Sequence, residues 1–356
     1  MKHIIEGFKP GGGKHCITNC LKQVFEYYGY PISEEMLLGI GSGINFLYLN
    51  QQRSPLVSGR SKVLDFERKI ADRLRIKIDC KKSKNNKKVF RDTITMLNQD
   101  NPVFVYADMP YLEYLNMDTA GHFGGHAVVI FGYDDERGIF YVSDRDNHDY
   151  PIRTSKGNIA EDYHLVGFGQ MERARCSSFR PFPADNKALI FDFKGYQGIT
   201  AASIRGAVLE ACENMLNAPA KLLGLNGIRK FSGEIVKWNR FDEEKLGIAG
   251  ETNYFLISAD GGTGGGIFRK MYGLFLIEAG EILRIPTFET IGQRFIKISG
   301  IWDEVAGYMW ELSETRNTGL LKKMSGLTED LYRKELTAFT ELKEAAESVE
   351  FTGLLG

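Results

Sequence analysis

Residues 14–20 read KHCITNC, and the cysteine in this stretch opens a segment whose apolar positions recur with the period of an α-helix. The stretch GGHAVVI at residues 124–130 places His126 at the start of an apolar strand. The stretch YVSD at residues 141–144 places Asp144 at the end of the next strand. This is the chain order of a thiol nucleophile, its base and the group that orients the base.

The composition of the chain is that of a soluble globular protein. Its 356 residues are 43% hydrophobic and 26% charged, and this length predicts two domains. A formal net charge of −1 provides no field for binding nucleic acid or an anionic membrane surface. No apolar run approaches the ~20 residues of a membrane span, and the N-terminus lacks an apolar signal core. The five scattered cysteines do not make a disulfide framework, so we expect a cytoplasmic protein.

The periodicity of the sequence divides the chain into two halves. Residues 1–195 mix helical and strand patterns, which predicts an α+β first domain. Residues 196–356 are dominated by the helical period, which predicts a mostly α-helical second domain. We predict helices at residues 16–28, 33–38, 63–74, 89–97, 200–217, 227–238, 242–258, 266–284, 288–314 and 327–348. We predict strands at residues 102–106, 126–133 and 139–142.

The predicted site combines features that activate a thiol. A helix N-terminus lowers the pKa of a cysteine such as Cys16, because partial positive charge lies beside the sulfur. The glycines at residues 11–13 let the backbone approach a substrate closely, and amide groups of the helix start can stabilise an oxyanion. We expect His126 to act as the base and Asp144 to hold its tautomer.

Neighbouring residues have competing interpretations. Cys20 lies deeper in the helix, where the N-terminal field has faded, so we assign it to the core. His122 and the predicted base could join the two cysteines in a zinc site, but the glycine pair between the histidines breaks the helix that would align them. Asp146 and Asn147 are alternative orienters beyond the strand end. His15 is expected to point away from the thiol, although it can tune the local field.

Short motifs along both halves resemble one family. The first half resembles the papain-like domain of the butirosin-biosynthesis acyltransferase family, BtrH, which is distantly similar to the papain-like peptidases that process bacteriocin leaders. The matching pieces are His15-Cys16, Gly29, Ser33-Glu34, GIGSG at residues 39–43, Gly125-His126 and Asp144. The second half resembles the helical domain that accompanies it. The matching pieces there are Gly266, Phe268-Arg269, Tyr272, Phe275-Leu276, Glu278-Ala279, Trp302 and Trp310.

The resemblance implies acyl transfer on a papain-like fold, with Cys16, His126 and Asp144 as catalytic residues and no metal or other cofactor. An acyl thioester on a phosphopantetheinyl carrier protein would pass to the cysteine and then to an amine, as in a closthioamide-type amide synthetase. Leader peptidases of this fold carry a glutamine before the cysteine as an oxyanion donor, whereas Pro10 and glycines stand there in this chain. We expect the oxyanion or substrate contacts that replace it among Gly13, His15 and Asn19.

The second domain is expected to bind the amine acceptor and to keep water from the acyl-enzyme; the alternative is that it only stabilises or dimerises the protein. We expect Phe268, Arg269 and Tyr272 to contact the substrate, the alternative being a place in the core. The glycine-rich residues 261–266 are a candidate phosphopantetheine-phosphate site or, equally, a hinge. The basic residues between 81 and 91 are a candidate dock for an acidic carrier or a solvated surface.

Two other functions fit the same residues. One is a cysteine peptidase or amidase, in which water takes the acyl group from the cysteine. The other is a non-catalytic binding protein on a degenerate papain-like fold. The missing glutamine favours transfer, because a thioester is an easier acyl donor than a peptide.

Overall fold

The computed structural model of the protein describes residues 1–51, 53–117, 121–154, 157–180 and 182–348. The chain forms two compact units. The sheet unit comprises Met1–Leu37 and Arg75–Tyr196, and the helical unit comprises Leu38–Leu74 and Gln197–Gly356. Pro181 of the predicted first domain and residues 349–356 of the predicted second domain lie outside the described residues.

The secondary structure follows in chain order. The strands are β1 (Lys2–Ile4), β2 (Ile44–Leu49), β3 (Leu56–Arg60), β4 (Lys77–Lys81), β5 (Val103–Ala107), β6 (His126–Asp134), β7 (Ile139–Ser143), β8 (Ile152–Thr154), β9 (Gly157–Ile159), β10 (His164–Gly167) and β11 (Ala188–Asp192). The helices are α1 (Cys16–Tyr27), α2 (Glu34–Ile40), α3 (Asp65–Leu74), α4 (Asn86–Leu97), α5 (Phe168–Cys176), α6 (Ala201–Leu216), α7 (Gly224–Ile235), α8 (Glu243–Ile257), α9 (Arg269–Leu283), α10 (Pro286–Thr315) and α11 (Gly319–Glu347).

The sheet unit is built on one antiparallel sheet with the strand order β10-β7-β6-β5-β11-β4, and β1 pairs with the far end of β6. All nine residues of β6 are buried. Helices α1 and α4 lie on opposite faces of this sheet. Ser143 of β7 donates a 2.7 Å hydrogen bond to Gln23 of α1, whereas Phe140 of the same strand packs on Phe90 of α4. Residues three apart in a strand point to opposite faces.

The helical unit packs α8, α9 and α11 around the 30-residue helix α10. It also contains the β2–β3 hairpin, whose strands contact α7 and α8. Residues 38–74, which fall within the predicted first domain, cluster with the helical unit. The physical reason is that the buried face of the hairpin is covered by helices encoded 160 or more residues later.

Most of the predicted elements occur within a few residues of their expected bounds. Helix α1 ends at Tyr27, and Gly29 follows in the left-handed conformation (φ 84°), as expected for the end of a helix. Helix α9 begins at Arg269 rather than at residue 266, because residues 264–268 all have positive φ. None of the helices within the described ranges combines the length and the apolarity of a membrane span.

The elements that the sequence analysis missed are short or irregular. They are the β2–β3 hairpin, the edge strand β4, the β8–β9 hairpin, β10 and α5. Strand β4 has the sequence KIDCK and is largely exposed, so its pattern resembles that of a solvated loop. Its strand conformation comes from pairing with β11, a contact between distant parts of the chain.

Candidate active site

Helix α1 begins at Cys16, and His15 caps it. The backbone of His15 is extended (φ −139°, ψ 135°), and its Nδ1 accepts a hydrogen bond from the amide of Thr18 at 3.4 Å. In the neutral ring the proton therefore resides on Nε2. The His15 side chain also lies close enough to the Cys16 thiol to lower its pKa. The expectation that His15 points away from the thiol was wrong, because a capping side chain folds back over the first turn of its helix.

His126 and Asp144 meet because of the register of β6 and β7. Val129 pairs with Ser143, so that Asp144, one residue past the end of β7, lies diagonally across from His126. The His126 Nε2 lies 2.7 Å from the Asp144 Oδ2. The imidazole also lies close enough to the Cys16 thiol for the two groups to shift each other's pKa, and since Nε2 is engaged by the carboxylate, Nδ1 is the nitrogen that can take the thiol proton. The structure therefore places His126 in contact with Asp144 and in the electrostatic neighbourhood of the Cys16 thiol.

The electrostatics of the cluster favour a thiolate beside an imidazolium. Burial would raise the pKa of the Cys16 thiol, but the charges and hydrogen bonds of His15 and His126 outweigh burial and hold this pKa well below its ordinary value. Burial would lower the pKa of His126, but Asp144 and the thiol raise it to about 10. Burial would raise the pKa of Asp144, but His126 lowers it to about 2. All three residues are at most 8% exposed.

A buried carboxylate that the sequence analysis missed completes the helix start. The Glu34 side chain accepts hydrogen bonds from the amides of Lys14 (2.8 Å) and His15 (3.1 Å) and from the Thr18 hydroxyl (2.7 Å). An acidic residue beside an N-terminal helix turn is stabilised there. The signal in the sequence was Glu34 itself, which opens α2, but nothing in the chain order shows that it turns back to α1.

The glycines before the helix serve the packing of the protein itself. A Cβ on Gly13 would lie 2.3 Å from the Glu34 Oε1, and one on Gly12 would lie 2.4 Å from the Asn147 Oδ1. A Cβ on Gly11 meets no atom of the described residues within 4 Å. The role expected for these glycines, close approach to a substrate, therefore has room only at Gly11.

Asn19 is placed as a structural residue. Its Nδ2 donates to the backbone carbonyl of Gly11 (2.8 Å) and to that of Asp144 (3.1 Å), which uses both amide hydrogens. Its Oδ1 is buried without a hydrogen-bond partner among the described residues. The expectation that Asn19 donates to an oxyanion was wrong for this geometry; instead it ties the glycine loop to the end of β7.

The alternative site residues are engaged elsewhere. Asp146 pairs with His164, with the imidazole Nε2 2.8 Å from Oδ1. Asn147 accepts from the amides of a surface turn at residues 149–150. His122 binds Asp108 at 2.9 Å, away from the partner of His126. Across the described residues, no three His, Cys, Asp or Glu side chains form a group able to hold a metal ion.

Cys20 and Asp108 have supporting places in the sheet unit. Cys20 is fully buried, and burial followed by the charge of Asp144 raises the pKa of its thiol, as expected for a core cysteine. Asp108 is buried and accepts from the amide of Phe123 at 2.7 Å and from the hydroxyl of Ser177. It thereby orders the segment that leads into His126.

The three residues of the helical unit proposed as substrate contacts lie in its own core. Tyr272 is fully buried among aromatic rings, and Phe268 is 5% exposed. Arg269 is fully buried and donates two 2.9 Å hydrogen bonds to Glu335 and one to the carbonyl of Asn45. These three side chains belong to the core, which was the alternative interpretation. The expectation that they contact the substrate was wrong in this conformation.

The glycine-rich segment 261–266 already hydrogen-bonds a side-chain carboxylate of the protein itself. The amide of Gly266 donates to the Asp303 carboxylate at 2.8 Å, and a Cβ on Gly266 would lie 2.4 Å from Ser299. The segment needs glycine because it turns with positive φ against α10. The phosphate site expected here is therefore occupied by a carboxylate.

The basic run lies on the far side of the sheet from the thiol. Its exposed members are Lys81, Lys82, Lys84, Lys87, Lys88 and Arg91, on β4, α4 and the turn between them. Cys16 begins α1, which packs on the opposite face of the same sheet. A carrier docked on α4 would thus have to deliver its thioester across the sheet, so the solvated-surface alternative describes this run better.

Two family models match the chain. Residues 15–145 match the family described as butirosin biosynthesis protein H, N-terminal, and residues 169–342 match a domain of unknown function, DUF4872. The first match covers Cys16, His126 and Asp144, and the second covers α6–α10 and most of α11. Together they support a BtrH-like family. No curated protein sequence matches the chain.

Proposed function

We propose that this protein is a cysteine-dependent acyltransferase, an amide synthetase of natural-product biosynthesis of the kind that makes antibiotics. The match to the BtrH family model supports an acyltransferase-like function in general. The observation that carries the proposal is the buried Cys16 thiol, whose pKa is lowered by two neighbouring imidazoles, one of them held by Asp144. We also propose that the sheet unit is papain-like, since α1 sets the cysteine against strands that carry the histidine and the aspartate.

The first half-reaction makes the acyl-enzyme. The Cys16 thiolate attacks the carbonyl carbon of a thioester carried on the phosphopantetheine of an acyl or peptidyl carrier protein, and a carbon–sulfur bond forms. The tetrahedral intermediate collapses, the carbon–sulfur bond to the carrier breaks, and the leaving thiolate takes the proton from the His126 Nδ1. Asp144 holds the ring so that this nitrogen faces the sulfur.

The second half-reaction makes the amide. An amine attacks the acyl group on Cys16, and neutral His126 takes the proton that the nitrogen must lose. The bond to Cys16 then breaks, which releases the amide and restores the thiolate beside the imidazolium. If water entered instead of the amine, the same residues would release a free acid, which is the peptidase or amidase alternative.

The donors for the oxyanion are proposed to be His15 and the amide of Cys16. The His15 Nε2 carries the ring proton, because Nδ1 accepts from Thr18, and the ring already reaches the sulfur. The amides of Lys14 and His15 are taken by Glu34, which makes the Cys16 amide the next backbone donor along the turn. Such donors contribute a factor of about 10²–10³ to kcat when they point at the developing charge.

Intact-mass spectrometry tests the first half-reaction. The full chain is incubated with an acyl-pantetheine thioester, and we expect one acyl group to be added at Cys16. Cys16→Ala should abolish the adduct, whereas the matched variant Cys176→Ala removes an exposed cysteine and should keep it. An adduct that persists in Cys16→Ala contradicts the proposal, and a single adduct on Cys16 contradicts the non-catalytic alternative.

Partition of the acyl-enzyme tests the second half-reaction. The isolated acyl-enzyme is mixed with a panel of primary amines and diamines, and the products are separated as amide and free acid. We expect the amide to dominate with at least one amine at a concentration far below that of water. Release only as free acid with every amine supports the peptidase or amidase alternative.

A further inference from the structure

The Asp144 carboxylate has a third partner that the proposed reaction does not use. The Tyr114 hydroxyl donates a 2.7 Å hydrogen bond to the Asp144 Oδ2, the same oxygen that His126 contacts. The amide of Arg145 donates to the other oxygen, Oδ1, at 2.6 Å. Both carboxylate oxygens are therefore engaged, and a turn about the side-chain bond of Asp144 would break at least one of these contacts.

Tyr114 is itself held by a second buried pair. Its ring lies parallel to that of His164, with the ring centroids 3.8 Å apart and the planes 6° apart. The His164 Nε2 contacts both oxygens of Asp146, at 2.8 and 3.0 Å, and Asp146 also accepts from the amide of Glu161 at 3.0 Å. His164 is 5% exposed and Asp146 is 1% exposed, so this pair is a fixed platform under the tyrosine ring.

We infer that Tyr114 is a positioning residue for the site of Cys16, His126 and Asp144, and that the stacked His164–Asp146 pair holds it in place. Two aspartates of one segment each bind a histidine, and the Tyr114 ring and hydroxyl link the two pairs. A tyrosine has only two side-chain torsions, so a stacked ring fixes its hydroxyl. Burial followed by the charge of Asp144 raises the pKa of Tyr114 well above its ordinary value, so the hydroxyl remains a donor.

The expected consequence is a change in the thiolate of Cys16. Without the Tyr114 hydroxyl, the carboxylate loses a donor, holds the His126 ring less firmly and supports the imidazolium less. A hydrogen bond to a charged group is stronger than one between neutral groups, and its loss is felt at the sulfur only through the ring. We therefore expect the pH at which Cys16 loses its proton to rise by about one unit, equivalent to about 1.4 kcal/mol.

Alkylation of Cys16 by iodoacetamide as a function of pH tests this inference in the full chain. The tryptic peptide of residues 15–22 contains Cys16 and Cys20, and fragment ions distinguish the two. In Tyr114→Phe we expect the acid limb to move up by about one pH unit, with an approximately tenfold slower reaction on that limb. His164→Gln keeps the hydroxyl but removes the stack, and should shift the limb in the same direction by less.

The matched control is Tyr133→Phe, which removes a tyrosine hydroxyl bonded to Asn98 at 2.8 Å in the same unit. Its profile should superimpose on that of the wild type. Profiles of Tyr114→Phe and His164→Gln that also superimpose, or that move to lower pH, overturn the inference. The inference rests on the proposed roles of Cys16, His126 and Asp144, but alkylation needs no acyl donor. A wild type that takes no acyl group while Tyr114→Phe shifts the limb refutes the acyltransferase and not the positioning role.

Discussion

Both units of the protein bury a cluster of charged side chains, and the two clusters differ in whether they include a proton that can be transferred. In the helical unit, Arg269 forms two 2.9 Å hydrogen bonds with Glu335, and both side chains are fully buried. In the sheet unit, His126 and Asp144 form a pair that is nearly as buried. The partner beyond that pair is the Cys16 thiol, which has a proton to transfer.

In the helical unit, the remaining hydrogen-bonding groups of Arg269 and Glu335 bind other residues of the same unit. Trp302 donates to the Glu335 carboxylate at 2.8 Å, and Arg269 also donates to the carbonyls of Asn45 and Ile267. An arginine side chain does not lose its proton in proteins, so the cluster joins elements of the unit without offering chemistry. In the sheet unit, by contrast, the pKa of the thiol is lowered and that of the imidazole is raised. Buried charge alone therefore does not mark a reactive site, whereas a nucleophile beside a group that can exchange its proton does.

The largest effect is expected from a variant that disrupts the buried Arg269–Glu335 pair of the helical unit. Glu335→Gln keeps the shape of the side chain but leaves the Arg269 charge buried without a counter-charge, which costs about 3–5 kcal/mol of unfolding free energy. Urea unfolding measures this loss. The control Glu341→Gln breaks the half-exposed pair with Arg294 and should cost less than about 1 kcal/mol. Equal losses in the two variants would show that the buried pair is not special.

The next largest effect is expected from a variant that disrupts the His126–Asp144 pair. Asp144→Asn removes the charge that supports the imidazolium of His126, so we expect acylation of Cys16 to slow by about a hundredfold at neutral pH. The rate is read by intact mass over time. Asp149→Asn, at an exposed position, should react like the wild type. Acylation of Asp144→Asn at the wild-type rate would remove Asp144 from the proposed mechanism.

The reactivity of Cys16 in the wild type should depend on pH in a way that an ordinary thiol does not. Since the pKa of Cys16 is lowered in the folded protein, its thiolate persists as the pH falls through the ordinary thiol range and is lost only at lower pH. Near pH 6 a free thiol is ionised to well under about 1%, so iodoacetamide should alkylate Cys16 at least about ten times faster than it alkylates N-acetylcysteine. Equal rates at that pH would contradict an activated thiol.

At alkaline pH, the rates of acylation and alkylation of Cys16 are expected to differ. The pKa of His126 is raised to about 10, so the imidazolium that protonates the leaving thiolate is present below that pH and is lost as the pH rises through it. Acylation should therefore decline near pH 10, whereas alkylation, which needs no proton donor, should not. A parallel decline of both reactions would indicate unfolding rather than titration of His126, and circular dichroism at each pH separates these cases.

The smallest expected effect concerns exposed charge. Lys87→Glu reverses a charge on α4, on the opposite face of the sheet from α1, so acylation of Cys16 by a carrier-bound thioester should change by less than about twofold. The measurement compares rates at low ionic strength, where electrostatic steering is strongest. A tenfold loss that added salt removes would show that the carrier docks on α4 after all.

Some of the site residues were predictable from local sequence signals, and others were not. The helix start at Cys16, the strand start at His126 and the strand end at Asp144 carried local signals, and the structure has these element ends and the contact of His126 with Asp144. Nothing in the chain order showed that Glu34 turns back to α1 or that Tyr114 reaches Asp144, because a carboxylate in a short helix and a tyrosine in a turn look like ordinary surface residues. The same limit explains the error on His15, whose direction depends on capping geometry.

The sequence by itself determined the period of each segment, the chemistry available and the order of the nucleophile, the base and the orienter. These are local properties, since propensity and patterning act over a turn or a strand. Three outcomes follow from contacts of the folded chain: Asn19 binds carbonyls, Arg269 pairs with Glu335, and residues 38–74 belong to the helical unit. Those outcomes depend on contacts between residues far apart in the chain, and the chain order does not record which distant surfaces bury one another.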